Sequence, residues 1–182
     1  MPLSDTQVGR AGEQLFAAIA TLTSDGELEF YRPETDDDHK DLEVGRKGLM
    51  GGAYVQVKSR TAVGADGYLR VHVEFPTGKP IDHPGFIYAV LLIDPDTIET
   101  AWIVPSPDFN RLSEHSTTAG ALQLNFYARP QADDRWAAFR SPAPQVGPRL
   151  LQLIDAVPEG KLPARRDGEP RQRQPLKRTE GM

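Results

Sequence analysis

No cysteine occurs in the 182 residues. Disulfides and thiolate metal centres are therefore excluded, and a reducing, cytoplasmic setting is expected. Long apolar runs are missing as well. The longest, "FIYAVLLI", falls far short of the roughly 20 residues needed to cross a bilayer, so no membrane partner is expected. The start of the chain has no basic stretch followed by an apolar one, so no signal peptide is expected. Gly-x-Ser-x-Gly is absent, which leaves a serine hydrolase triad without an anchor. "PTGKP" has no glycine five residues before Gly78, so the spacing of a phosphate-binding loop fails.

Positive charge is scarce except at one end. The net charge is -5, but the segment 161–182 carries seven basic and three acidic residues, which leaves the rest of the chain at -9. An acidic body with a basic tail is not the profile of a broad nucleic-acid-binding surface. Any such contact must be local or use the tail. From about Glu159 onward the chain is Pro, Arg, Gln and Gly with few apolar residues, so residues 159–182 are expected to be a disordered basic tail and residues 1–158 one domain.

The body is rich in structural punctuation. "SDTQVGRAGEQLFAAIATLTSDG" reads as a helix, with Ser4 or Asp5 as N-cap, Gly26 as the stop, and an apolar stripe of Val8, Leu15, Ile19 and Leu22. Gly9 and Gly12 are poor helix formers and point to close approach of a neighbouring element. Strands are expected in "ELEFYRP", in "DLEVGRKGLMGGAYVQVKSR" as an antiparallel pair, and in "GYLRVHVEF", "FIYAVLLID", "IETAWIVP" and "ALQLNFYAR". The continuous apolar character of "FIYAVLLID" is that of a strand buried on both faces. "SPDFNRLSE" reads as a short helix with Ser106 as N-cap and Pro107 at its first position. "QADDRWAAFR" and "PRLLQLIDAV" read as helices. The fold class that follows is α/β or α+β, a mixed sheet with helix packed on it.

Chemistry concentrates in the first third. Glu13 lies on a small, apolar helix face beside Gly9, Phe16, Ala17 and Ala20, where a carboxylate needs a cation or donor to meet it. Glu34, Asp36, Asp37 and Asp38 crowd an acidic loop, and Asp41 opens the next strand. In "YVQVKSR", Val55, Val57 and Ser59 point one way and Tyr54, Gln56, Lys58 and Arg60 the other. Pairing of the two strands would bring Asp41, Gln56 and Lys58 together. Asp41, the Gln56 amide oxygen and the Val57 carbonyl could then offer three oxygens to a hard cation such as Mg²⁺. Lys58 could orient a water or stabilise charge on a phosphate, which suits phosphodiester hydrolysis. Arg46, Lys47, Lys58 and Arg60 form the compact basic set near this point, and Arg46, Lys47 and Arg60 are candidates for nucleic-acid contact.

The segments "GRAGEQLFAA", "RPETDDDHKDLEV" and "YVQVKSR", in that order, resemble the PD-(D/E)XK nuclease superfamily, in the variant with glutamine at the last acidic position, as in small bacterial nuclease-like domains of unknown function. "FIYAVLLID" and "AWIVPSPDF" resemble the same group more loosely. The resemblance implies a restriction-endonuclease-like central mixed sheet flanked by helices. It also implies a Mg²⁺ or Mn²⁺ site of Asp41, Gln56, Val57 and Glu13, with catalysis by Glu13, Asp41, Gln56 and Lys58 on nucleic acid, DNA in particular, in defence or repair. Asp37 matches a further acidic position of relatives. Two positions depart from that group: Gln56 is neutral, which weakens affinity for a divalent ion unless Glu13 or Asp37 compensates, and His39 stands where glycine is usual. The alternative is a catalytically inactive binding or assembly module of the same fold, acting with a protein partner or as a homodimer. His72 and His83, Trp102 and Trp136 read as surface or packing residues rather than ligands or base-stacking platforms.

Overall fold

A computed structural model describes residues 3–33, 40–48, 52–76 and 79–157. In chain order the elements are α1 (Asp5–Thr23), β1 (Leu28–Tyr31), β2 (Leu42–Arg46), β3 (Gly52–Arg60), β4 (Leu69–Phe75), β5 (Phe86–Asp94), β6 (Thr97–Pro105), α2 (Ser106–Leu112), β7 (Glu114–Thr118), β8 (Ala121–Ala128), β9 (Arg140–Ser141) and α3 (Val146–Asp155). Of the expected acidic loop Glu34–Asp41, residues 34–39 lie outside the described residues, as do the turn at residues 49–51 and the tail.

α1 begins with a reciprocal cap. Ser4 Oγ accepts from the Gln7 N–H, and Gln7 Oε1 accepts from the Ser4 N–H at 2.9 Å. It ends as Asp25 and Gly26 turn to positive φ and the Gly26 N–H reaches back to the Thr21 carbonyl. The buried stripe is Val8, Gly12, Phe16 and Ala20. The expected stripe is therefore corrected: Leu15 and Ile19 only flank the core, and Leu22 is 75% exposed.

Two sheets form. The larger has the order β1-β2-β3-β5-β6-β9, the smaller β4-β8-β7. Among the described strands only β3 and β5 run parallel; the other neighbours are antiparallel. Parallel neighbours require a crossover, and here it is the segment 61–85, which carries β4 into the second sheet. The class is α+β with a mixed sheet. Helices α1 and α3 cover one face of the larger sheet over Val44, Val55, Val57, Ala89, Leu91 and Ile103. The opposite face is covered by the smaller sheet and by Phe109 of α2, over Tyr88, Val90, Trp102 and Val104. β5 is thus buried on both sides, which explains its unbroken apolar run.

Other local expectations change. Pro105, not Ser106, is the N-cap of α2; the buried Ser106 Oγ instead accepts from the His83 N–H and donates to the His83 carbonyl, both at 2.9 Å. "QADDRWAAFR" is not an α-helix. Asp134 accepts from the N–H groups of Arg129 and Trp136, Trp136 is driven into the core, and only one 3₁₀ turn, Ala137–Phe139, survives before β9. Trp102 and Trp136 are both fully buried.

Candidate functional site

The β2–β3 ladder is regular from Gly45↔Gly52 to Leu42↔Val55 and then ends. Among the described residues Asp41 makes the last main-chain contact, its N–H donating to the Val55 carbonyl at 3.1 Å. Its side chain then takes over the role of the missing strand: Asp41 Oδ2 accepts the Val57 N–H at 2.6 Å. The N–H and C=O of a strand residue point to the same edge. The Val57 carbonyl therefore faces the same edge of β3 as the Asp41 carboxylate.

The faces of β3 are equally well defined. Val55 and Val57 enter the core beneath α1, and Ser59 Oγ donates to the Val8 carbonyl of α1 at 2.9 Å. Tyr54, Gln56, Lys58 and Arg60 consequently point toward the side of the smaller sheet. Gln56 is buried and Lys58 half-buried. Gln56 and Lys58 share one face, as expected, and flank the residue that Asp41 holds.

Glu13 comes from the other layer. It sits on α1 with its side chain 25% exposed, and the Arg32 guanidinium at the end of β1 lies 3.6 Å from Oε2. This is the cation that the apolar helix face around Glu13 requires. Glu13 and Lys58 therefore stand on opposite sides of the sheet, with Asp41 and the Val57 N–H at the edge of β3 between the two layers.

Two expected phosphate contacts are not brought here. Arg46 and Lys47 lie at the other end of β2, about 16 Å from Asp41 at the usual rise of an extended strand. Arg46 also has structural work: its guanidinium meets Glu27 at 2.6 Å and Asp155 of α3 at 3.0 Å, contacts that raise its pKa above the ordinary arginine value. Arg60 lies at the same end as Lys58. The structure adds two cations that motif spacing did not single out. Lys40 is buried with Nζ 4.4 Å above the Tyr54 ring, and Arg32 meets Glu13. Their signal in the sequence is position alone: Lys40 directly precedes Asp41, and Arg32 directly follows β1.

The candidate donors are all oxygens: Asp41 and the Val57 carbonyl at the edge, the buried Gln56 amide on one face of the sheet, and Glu13 in the helix layer beside Arg32. Among the described residues no three His, Cys, Asp or Glu side chains form a metal cage. Such a set fits a hard cation that keeps several waters and uses one or two carboxylates, as Mg²⁺ does. His72 and Glu74 stand 4.0 Å apart on the outer, exposed face of β4. No helix among the described residues is long and apolar enough to cross a membrane. No protein-family model matches the chain, and no curated protein matches it.

Proposed function

We propose that this chain is a nuclease-fold protein that hydrolyses phosphodiester bonds of nucleic acid, with DNA as substrate and Mg²⁺ or Mn²⁺ as cofactor. One observation carries the reading: the Asp41 carboxylate is fixed on the Val57 N–H at the edge of β3, between Gln56 and Lys58. Asp41, the Val57 carbonyl and the Gln56 amide would hold the ion, with Glu13 reaching it from the helix side. Bound there, the ion supplies Lewis-acid stabilisation and a more acidic water. Lys58, on the same strand, would orient the attacking water and stabilise charge developing on the phosphate. Arg60, two residues further on the same face, extends positive charge along the path of the backbone. The hold of the Val57 N–H on the Asp41 carboxylate supports the reading, because it fixes this one proposed ligand in advance.

A specific observation favours a second reading, a non-cleaving binding module. Among the described residues, Glu13 and Asp41 are accompanied by Arg32, Lys40 and Lys58, and Gln56 is neutral. That balance weakens attraction for a divalent ion. Cleavage of plasmid and labelled oligonucleotides with Mg²⁺ or Mn²⁺ separates the two. The nuclease reading expects cleavage by the wild type and its loss in Lys58→Ala and Asp41→Ala. Cleavage undiminished in both variants rules out this site, and a wild type inert on every substrate supports the binding module.

A further inference from the structure

The smaller sheet turns Leu69, Val71, Val73, Leu124 and Phe126 inward and leaves its outer face to Arg70, His72, Glu74, Gln123, Asn125 and Tyr127. Where β4 begins and β8 ends, this face holds an open recess of about 680 Å³ lined by Tyr68, Arg70, Glu114, Tyr127, Asp134 and Arg135. Planar groups dominate it. The Arg70 guanidinium lies 5.6 Å from the Tyr68 ring and 5.8 Å from the Tyr127 ring, and Arg129 stacks over Tyr68 at 4.3 Å.

These planes are held in place. Asp66 grips Arg70 through both carboxylate oxygens, and this pairing keeps the Asp66 carboxyl well below the usual carboxylate range. Arg135 donates to Glu114 at 2.8 Å. Asp134 is oriented by the N–H groups of Arg129 and Trp136. Within the lining, two guanidiniums are balanced by two carboxylates, so the recess does not select an anion. It offers π faces together with edge donors and acceptors, which is the complement of a neutral planar heterocycle. Its volume lies in the range of small-molecule sites.

A chain of neighbouring residues leads from this recess toward the end of β3 that carries Lys58 and Arg60. A second open recess, of about 700 Å³, begins directly after Arg60 and is lined by Thr61, Val63, Leu92, Glu99, Arg129 and Pro130. It sits beyond the carboxyl ends of the parallel strands β3 and β5, where ligands of open α/β sheets bind. Arg129 lines this second recess and stacks on Tyr68 of the first.

We propose that the Tyr68–Arg70–Tyr127–Arg135 recess is a nucleobase subsite that takes an unpaired base from a single strand whose backbone runs past Arg60 and Arg129. The identification of the occupant as nucleic acid rests on the nuclease-fold reading above. Stacking on aromatic and guanidinium planes is tolerant of base identity and contributes at least about fivefold per base in affinity.

The test is fluorescence anisotropy of the full chain in EDTA, with a labelled single-stranded DNA, an abasic strand of equal length and a blunt duplex. The wild type is expected to bind the base-bearing strand at least about fivefold more tightly than the abasic strand. Tyr68→Ala with Tyr127→Ala is expected to erase that preference, Tyr68→Phe to retain it, and Lys58→Ala to retain it. Circular dichroism of each variant checks the fold. Equal affinity for normal and abasic strands, no single-strand binding by the wild type, or a preference that survives the double substitution each overturns the subsite. The outcomes separate it from catalysis: base preference without any cleavage sinks the nuclease reading alone, and Lys58-dependent cleavage without base preference sinks the subsite alone.

Discussion

Two glycines in α1 differ only in what stands beside them, and replacing each by alanine should give different results. A Cβ built on Gly9 meets nothing within 4 Å. Gly9→Ala therefore contributes only helix propensity and should stabilise the protein by roughly 1 kcal/mol. A Cβ on Gly12 stands 2.6 Å from the Ser59 Cβ and 3.9 Å from Leu91 Cδ1. Carbon atoms in contact need about 3.5–4.0 Å, so α1 must retreat from β3 by roughly 1 Å. The Ser59 Cβ cannot rotate away, because it is fixed to the strand backbone. Overpacking of this kind costs about 1–3 kcal/mol, enough to cancel or reverse the propensity gain. Urea unfolding should place the Gly12→Ala midpoint below that of Gly9→Ala, the two separated by about 1–3 kcal/mol with similar m-values. Midpoints raised equally in both would refute the seating of α1 on Ser59. The same contact matters for the site: Glu13 follows Gly12 and Lys58 precedes Ser59. A displacement of about 1 Å in catalytic geometry can cost on the order of 10²-fold in rate, so cleavage by Gly12→Ala should fall while Gly9→Ala retains it.

Three further outcomes follow from local geometry. Gly147→Ala places a Cβ 2.6 Å from the Ala20 carbonyl oxygen and the Ser24 nitrogen of α1, so loss of about 1–3 kcal/mol is expected by chemical denaturation; wild-type stability would show that α3 does not dock there. Ala119 has φ 49° and Gly120 φ 85° in the two-residue turn between β7 and β8, and Ala119→Gly should relieve about 1 kcal/mol of left-handed strain; an unchanged or lowered melting temperature would speak against that turn. The depressed Asp66 carboxyl binds its proton more weakly in the folded chain than in the unfolded one. Its contribution to stability is therefore fully present above the ordinary carboxylate value of 3.8 and is lost as the pH falls toward the depressed one. Asp66→Asn should flatten the acid limb of the stability profile, and an identical acid limb in the variant would contradict the pairing with Arg70.

Much of the fold is legible where one residue type has one physical use. The alternation in Gly52–Arg60 assigns both faces of β3, and the unbroken apolar run of Phe86–Asp94 requires cover on both sides. Glu13 on an apolar helix face requires a cation, and Arg32 supplies it. Other features depend on tertiary partners that local pattern does not contain. The stripe of α1 is built from Gly12 and Ala20 because β3 and α3 approach closely, so the larger Leu15 and Leu22 are displaced to its margins. β7, with the sequence EHSTT, has no apolar alternation because every residue is exposed; pairing with β8 alone makes it a strand. Trp136 leaves a helical pattern because the aromatic core over Phe109 and Phe126 takes it in, with ring centroids 5.7 and 4.4 Å away. For the candidate site, the meeting of Asp41 with Val57 follows from strand pairing, whereas the pairing of Arg46 with Asp155 joins residues 109 positions apart and has no local signature.

The most direct test of the account sets Asp41→Asn beside Asp41→Ala, with stability and Mg²⁺-dependent DNA cleavage measured on the same preparations. The asparagine oxygen still accepts the Val57 N–H, so Asp41→Asn should keep near wild-type stability. Asp41→Ala leaves that donor without its acceptor, at a cost of about 1–3 kcal/mol. Both should lose cleavage, because each removes the negative charge at the edge of β3. Cleavage by Asp41→Asn at the wild-type rate would contradict the central claim that this carboxylate forms the catalytic edge.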